Sequence, residues 1–291
     1  MRILLAGATG VIGRRVVPLL VAEGNQVTAL TRRPGRTATL RALGAEPVVA
    51  DAHDREGLAA AVEKAAPDIV MHQLTDLAAA DHAANAALRR QGTRNLVDAA
   101  LAAGVRRMVA QSIAWVYEAG DEPAGETTPL DLAAPGDRGG RVRSVAALEA
   151  AVHEMPEWVV LRYGWFYGPG TWHAPDGLAA DMARAGKLAA DGEVVSFVHA
   201  DDAATAAVRA LTWPANGAVN VCDDEPAPGR EWVPAFCAAV GASPPPSADT
   251  GRPGWARGAD NRHAREHLGW VPRYPSWRDG FAAFAGGAPT R

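Results

Sequence analysis

Two cysteines in 291 residues, Cys222 and Cys237, are too few for a disulfide framework, and no Cys/His cluster has zinc-ligand spacing, so no metal is expected. Lysine also occurs only twice, at Lys64 and Lys187, and tyrosine four times, at Tyr117, Tyr163, Tyr167 and Tyr274. No apolar run reaches the roughly 18–20 residues that cross a bilayer, which argues against a membrane partner. Nor is there an excess of positive charge. With 29 basic and 33 acidic side chains, the chain has no basic field to recruit nucleic acid. The opening MRILLAGATG lacks the length and cleavage pattern of a secretory signal and reads as a buried strand, so a cytoplasmic location is the expectation. What is present is 48% hydrophobic and 21% charged residues, an ordinary globular balance. The length suits a nucleotide-binding domain with a smaller lobe.

Short apolar runs alternate with alanine-rich helical stretches through the first half. Strand-like runs fall at 2–6, 26–31, 47–50, 68–72, 107–111 and 158–162, and helical ones at 11–23, 55–65, 78–103 and 145–153. Such alternation predicts an α/β fold, a doubly wound parallel sheet of Rossmann type. Beyond residue 164, Gly168-Pro169-Gly170 and the proline- and glycine-rich stretches at 214–217, 226–229 and 243–253 break the pattern. The expected division is a dinucleotide-binding domain over 1–163 and a smaller C-terminal substrate-binding lobe over 164–291, with about 190–222 returning to the sheet.

Gly7, Gly10 and Gly13 follow the first strand and open the first helix, with Thr9, Val11 and Ile12 between them. Gly7 suits a tight turn, Gly10 a close approach of backbone to a pyrophosphate, and Gly13 close helix–strand packing; the helix N-terminus then faces the phosphates. The second strand ends in Thr31-Arg32-Arg33-Pro34, with no carboxylate to accept from a ribose 2′-hydroxyl. Arg32 and Arg33 suit a 2′-phosphate, so NADP(H) is the expected cofactor, with NAD(H) the alternative. Asp51, followed by Ala52, closes the third strand and either accepts from the adenine amino group or caps the helix starting near Asp54. Gln73 and Leu74, after the fourth strand, fall beside the nicotinamide ribose. His72 there is either a proton shuttle or a histidine that satisfies backbone groups.

Together with Gly92-Thr93-Arg94-Asn95, Ser112–Tyr117, the run Leu161–Gly170, Phe197–Asp202 and Leu268–Pro272, these residues resemble the extended short-chain dehydrogenase/reductase superfamily of NAD(P)-dependent epimerase/dehydratase type. The resemblance implies a tyrosine acid/base and a lysine four residues later on one helix, and a Ser or Thr that binds the substrate oxygen. No YxxxK occurs in this chain. Register from Ser144 and Glu149 puts Arg141 at the tyrosine position and Val145 at the lysine position. The resemblance is therefore to an atypical member. Arg141 cannot usefully lose a proton, but it can bind an anionic substrate or stabilise an oxyanion. Ser112, ending the fifth strand, either binds the substrate oxygen or serves as a turn serine; Tyr163 or a water supplies the proton. Trp165, Phe166, Tyr167 and Trp172 flank the Gly168–Gly170 turn and suggest an aromatic wall to the substrate pocket. The resemblance also implies a homodimer.

His263 and His267 have helical spacing for two metal ligands but lie among arginines with no third ligand. The arginines at 89, 90, 94, 106 and 107 read as a solvated face, and Asp201-Asp202 as the cap of a helix over 203–211. The expected function is an NADP(H)-dependent oxidoreductase acting on a small or medium organic carbonyl or hydroxyl substrate with a non-standard proton donor. The alternatives are a non-redox epimerase, dehydratase or cyclase that retains its nucleotide, and a non-catalytic NADP-binding sensor.

Overall fold

A computed structural model describes residues 1–77, 81–248 and 250–285. The first half runs β1 (Arg2–Ala6), α1 (Gly13–Ala22), β2 (Gln26–Thr31), α2 (Thr37–Ala42), β3 (Glu46–Val49), α3 (Arg55–Ala65), β4 (Ile69–His72), α4 (His82–Ala87), a π turn (Leu88–Gly92), α5 (Thr93–Ala102) and β5 (Arg107–Ile113). It continues with α6 (Gly136–Val152), β6 (Glu157–Tyr163), β7 (Trp165–Tyr167), α7 (Leu178–Arg184), β8 (Val194–Val195), β9 (Phe197–His199), α8 (Ala200–Arg209), β10 (Gly217–Val221), β11 (Ala227–Pro228), α9 (Gly229–Ala239) and α10 (Trp277–Ala285).

The central sheet has the order β10-β6-β5-β4-β1-β2-β3. Pairings β3–β2, β2–β1, β1–β4 and β4–β5 are all parallel, as the strand–helix alternation requires. The order reverses at β1, whose C-terminal end carries the glycine loop, the place where such sheets open a ligand crevice. One apolar cluster joins Leu58 and Val62 of α3, Leu96, Val97 and Ala100 of α5, and Leu4, Val70 and Met108 of the strands, all buried. Each fully buried Leu or Val contributes about 2 kcal/mol, so this layer fixes the helices against the sheet.

The chain forms two compact units: 1–112, 130–161 and 204–218 in the first, 113–129, 162–203 and 219–291 in the second. The second has its own core, in which Phe197, Trp232, Phe236, Trp277 and Phe281 pack together.

Three local readings need correction. The helix read over 78–103 starts, among described residues, at His82, with the Asp81 side chain accepting from the Ala84 amide. It carries the π turn at Leu88–Gly92, which shifts the register of side chains along it; residues 78–80 lie outside the described set. Helix α6 begins at Gly136, not near Val145. Its glycine-rich start has low helix propensity, yet packing tolerates it: a Cβ at Gly139 would lie 1.9 Å from the Ala134 carbonyl oxygen. Asp201 and Asp202, expected as caps, lie inside α8, and Asp202 instead accepts from the Arg273 and Tyr274 amides at 2.9 Å each.

Candidate functional site

The glycine loop is built by contact as well as by conformation. Gly7 has φ +93, and a Cβ there would lie 2.2 Å from the Gln73 carbonyl oxygen. A Cβ on Gly13 would lie 2.2 Å from the Gly7 carbonyl oxygen and 2.6 Å from the Ala8 Cα, so helix α1 is pressed onto the loop. Thr9 is exposed and Gly10 and Val11 are half-buried, while Ile12 and Gly13 are buried. No side chain caps α1 at Ile12; the Arg14 and Arg15 amides turn back to the Gly10 and Ile12 carbonyls, and the positive dipole end of the helix lies at the loop for an anion. This cradle fits a dinucleotide pyrophosphate.

At the adenosine side, Arg32 and Arg33 differ. Both terminal nitrogens of Arg32 donate to Asp76 at 2.9 Å, a bidentate pair across 44 residues that sequence reasoning missed. The Arg33 side chain is exposed and has no partner among the described residues. Asp51 accepts from the His53 amide at 2.9 Å, whereas Asp54 caps α3 through the Gly57 amide at 3.1 Å, so the cap alternative for Asp51 falls away. The Ala52 carbonyl accepts from the Asn95 side chain at 2.8 Å, tying this turn to α5.

The end of β4 is held on several sides. Gln111 donates to the Leu74 carbonyl at 2.7 Å, and the Leu74 amide donates to His72 Nδ1 at 3.2 Å. With Nδ1 accepting, the ring proton sits on Nε2, which donates to the Thr93 hydroxyl at 2.7 Å. Gln73 is buried beside Gly7. Burial, reinforced by the Arg89 charge, pushes the His72 pKa down to about 4. A neutral imidazole with both nitrogens engaged is a brace for this segment, not a proton shuttle. Because its folded pKa lies below that of an exposed imidazole, the unfolded chain binds the extra proton between about pH 6.5 and 4, and stability is lost as pH falls through that window. The Tm advantage of the native chain over His72→Gln is therefore expected to shrink between pH 7 and 4.5; a constant difference in thermal melts would refute the assignment.

Ser112, at the end of the first unit's β5, donates its hydroxyl proton to Glu149 Oε1 at 2.7 Å, both side chains being buried. Glu149, Val145 and Arg141 recur every four residues on α6 and share one face. Val145 is fully buried and Arg141 half-buried. The π turn that packs against α6 presents Arg89. Far from lying on a solvated face, Arg89 is only 7% exposed, because the π turn rotates it inward. Burial and the neighbouring Arg141 charge push its pKa down to about 10. No spacing rule singled out Arg89; the one signal was its place on the helix that follows β4.

The second unit holds the remaining candidates. Tyr163 ends β6, is 1% exposed, and its ring lies 5.2 Å from that of Phe166. Trp165 stacks on His173 at 5.5 Å and meets Phe197 and Trp232 edge-on, and Tyr167 is completely buried against Phe197, His199 and Phe281. Burial, with Asp223 and Asp202 nearby, drives the Tyr167 phenol far above its ordinary pKa. Trp172 is 38% exposed. Among the described residues no group of three His, Cys, Asp or Glu side chains could hold a metal, and no helix is long and apolar enough to cross a membrane.

Comparison with known proteins follows the same lines. The chain is 46% identical to a 3-diazoavenalumate denitrifying reductase of a Streptomyces species, over 96% of this chain and 99% of that one. It is 32% identical to a UDP-glucose 4-epimerase of Mycolicibacterium smegmatis, with 94% of each chain covered. A crystal structure of the Thermus thermophilus UDP-glucose 4-epimerase in complex with NAD superposes with a TM-score of 0.76 at 27% identity, covering 99% of this chain and 100% of that one. Residues 3–222 match the model of the NAD dependent epimerase/dehydratase family. A parallel sheet reversing at β1, a glycine loop shaped for a dinucleotide and this match over most of the chain place the protein in the NAD dependent epimerase/dehydratase family.

Proposed function

We propose that this protein is a nicotinamide-dependent reductase that replaces the diazo group of an aromatic carboxylate by hydrogen, with NADPH the preferred cofactor. The observation that carries this reading is α6, which has Arg141 and a fully buried Val145 at the positions that the register from Ser144 and Glu149 assigns to the superfamily's tyrosine and lysine. Carbonyl reduction makes an alkoxide that must be protonated, so a proton donor is indispensable. Reduction of a diazonium carbon has no such need. The C–N bond breaks, nitrogen leaves as N2 with the bonding pair, and a C–H bond forms with hydride. The reduced nicotinamide supplies that hydride when bound and is left oxidised.

The relative at 46% identity supports the reading, since its name describes reductive removal of nitrogen from a diazo carboxylate. An aromatic carbon is inferred because diazonium groups on saturated carbon lose nitrogen unaided, whereas ring conjugation lets an aryl diazonium survive to be a substrate. The protein's own residues then bind and orient. The Gly7–Gly13 loop and the uncapped α1 hold the pyrophosphate. Arg33, with no carboxylate at the end of β2, favours a 2′-phosphate, and Arg32 beside it is available only in competition with Asp76. Gln111 and His72 fix the Leu74 segment beside the nicotinamide ribose. Ser112 holds Glu149, and through it α6, leaving its hydroxyl oxygen to face substrate.

The test is anaerobic turnover of diazotised 3-aminocinnamate with NADPH. The fall in absorbance at 340 nm is expected to match N2 release one for one, well above the rate without protein. NADH is expected to give a lower kcat/KM by about tenfold, the worth of one charge-assisted contact. An unchanged absorbance would overturn the reading and return the protein to the non-redox epimerase class, which the relative at 32% identity favours.

A further inference from the structure

The first unit holds two guanidiniums that no described residue neutralises. Arg89 is 7% exposed, on the π turn that packs against α6, and lies close enough to Arg141 for the two charges to repel. Among the described residues neither side chain has a hydrogen-bond or ion-pair partner. The carboxylate on the same face of α6, Glu149, is taken by Ser112. His72, which feels the Arg89 charge, is neutral and has both ring nitrogens engaged, so it offers no compensation. A buried cation without an anion is among the costliest arrangements a fold can retain, and the half-buried Arg141 charge beside Arg89 adds to that cost. Other arginines of this unit follow the ordinary rule: Arg94 meets Asp98 and Glu154, Arg107 meets Glu157, and Arg138 meets Asp131.

We infer that Arg89 and Arg141 form the receptor for the carboxylate of the substrate, and that the anion completes this corner of the protein. The inference deepens the reading above, and rests on it for choosing a carboxylate. Two planar forks, one on the π turn and one on the α6 helix it packs against, suit the two oxygens of a carboxylate, since each can give bidentate bonds. The cofactor's phosphates have their own cradle at the glycine loop. The arrangement also sets specificity: two unneutralised arginines repel a cationic aryl diazonium, so a substrate without its own carboxylate is rejected by charge alone.

The experiment reads binding, not turnover, so it stands apart from the test of the reaction. Cinnamate and cinnamamide are titrated calorimetrically into the NADP-loaded protein. Cinnamate is expected to bind at least tenfold more tightly than the amide. Arg89→Met and Arg141→Met are each expected to weaken cinnamate about tenfold or more while leaving cinnamamide and NADPH binding unchanged. Removing a buried, unpartnered charge also makes a distinctive prediction for the ligand-free protein: Arg89→Met raises the Tm by about 3–6 °C, and cinnamate no longer raises it further. Equal binding of acid and amide, or native cinnamate affinity in both variants, overturns the receptor. Discrimination between acid and amide in a protein that reduces no diazo compound sinks the proposed reaction and leaves the receptor standing.

Discussion

Replacing Gly7 with alanine is expected to weaken dinucleotide binding by about 100-fold or more and to lower the melting temperature by about 6–12 °C, corresponding to roughly 3 kcal/mol in a chain of this size. Two costs add. The φ of +93 is a conformation that alanine adopts only with strain, worth about 1–2 kcal/mol. The new Cβ would also lie 2.2 Å from the Gln73 carbonyl oxygen, 2.4 Å from its carbon and 2.9 Å from the Leu74 amide nitrogen. All three are backbone atoms of a segment braced by Gln111 and His72, so they cannot move aside cheaply. Either the glycine loop lifts off the end of β4 or that segment shifts, and each displaces the cradle; NADPH affinity falls by about 100-fold or more. Gly10→Ala separates fold from cofactor. Its Cβ would meet only the Gly7 carbonyl oxygen, at 3.2 Å, so its Tm should stay within about 2 °C while its methyl group obstructs the pyrophosphate. Isothermal titration of NADPH beside thermal melts reads both, and a Gly7→Ala protein that binds NADPH normally would refute the account.

The contrast between Gly7 and Arg89 shows what the sequence made legible. The loop is a local object: three glycines at fixed offsets, a strand before and a helix after, so its place and purpose follow from short-range rules. The parallel sheet was readable for a related reason, since each strand–helix–strand alternation leaves one crossover hand open, whereas the strand order came only from the structure. Arg89 belongs to a different class. Its burial depends on a π turn that rotates it off the solvent face, and on α6, whose first turns are glycine-rich and carry weak helix propensity. The Arg32–Asp76 pair spans 44 residues, and no spacing rule reaches that far. Asp51 and Asp54 are equally good caps by composition; only the backbone decides, sending the Gly57 amide to Asp54. Sequence reading thus reached the cofactor cradle, where chemistry is written in backbone permissiveness. It stopped short of the charged residues whose environment is set by packing.

The second large effect concerns Val145, the position that the register from Ser144 and Glu149 assigns to the superfamily's lysine. Val145→Lys is expected to destabilise the protein by about 4 kcal/mol, the cost of holding a lysine some three pKa units below its ordinary value, and to lower the Tm by about 8–16 °C. Val145 is completely buried in the middle of α6, so the new ammonium has no route to water. Its neighbours on the same helix face pull in opposite directions. Arg141, one turn earlier, repels it, and Glu149, one turn later, attracts it but is already bonded to Ser112. Desolvation wins because the attraction must first be taken from that bond. The sign of the pH dependence follows. The lysine's folded pKa lies below its unfolded value near 10.4, so the penalty is fully present below the folded pKa and relaxes as pH rises toward about 10. Val145→Met isolates the charge: it is long and apolar, costs about 1 kcal/mol by packing, and should show no such relaxation. Thermal melts of the two variants from pH 6 to 10 provide the measurement, and equal stability at pH 7 would show that the position is wet or that Glu149 neutralises it. Changing Arg141 to tyrosine as well removes the repulsion but not the desolvation. The tyrosine–lysine pair therefore cannot be restored simply by writing it back into α6, because the place that register assigns to the lysine is packed with hydrocarbon.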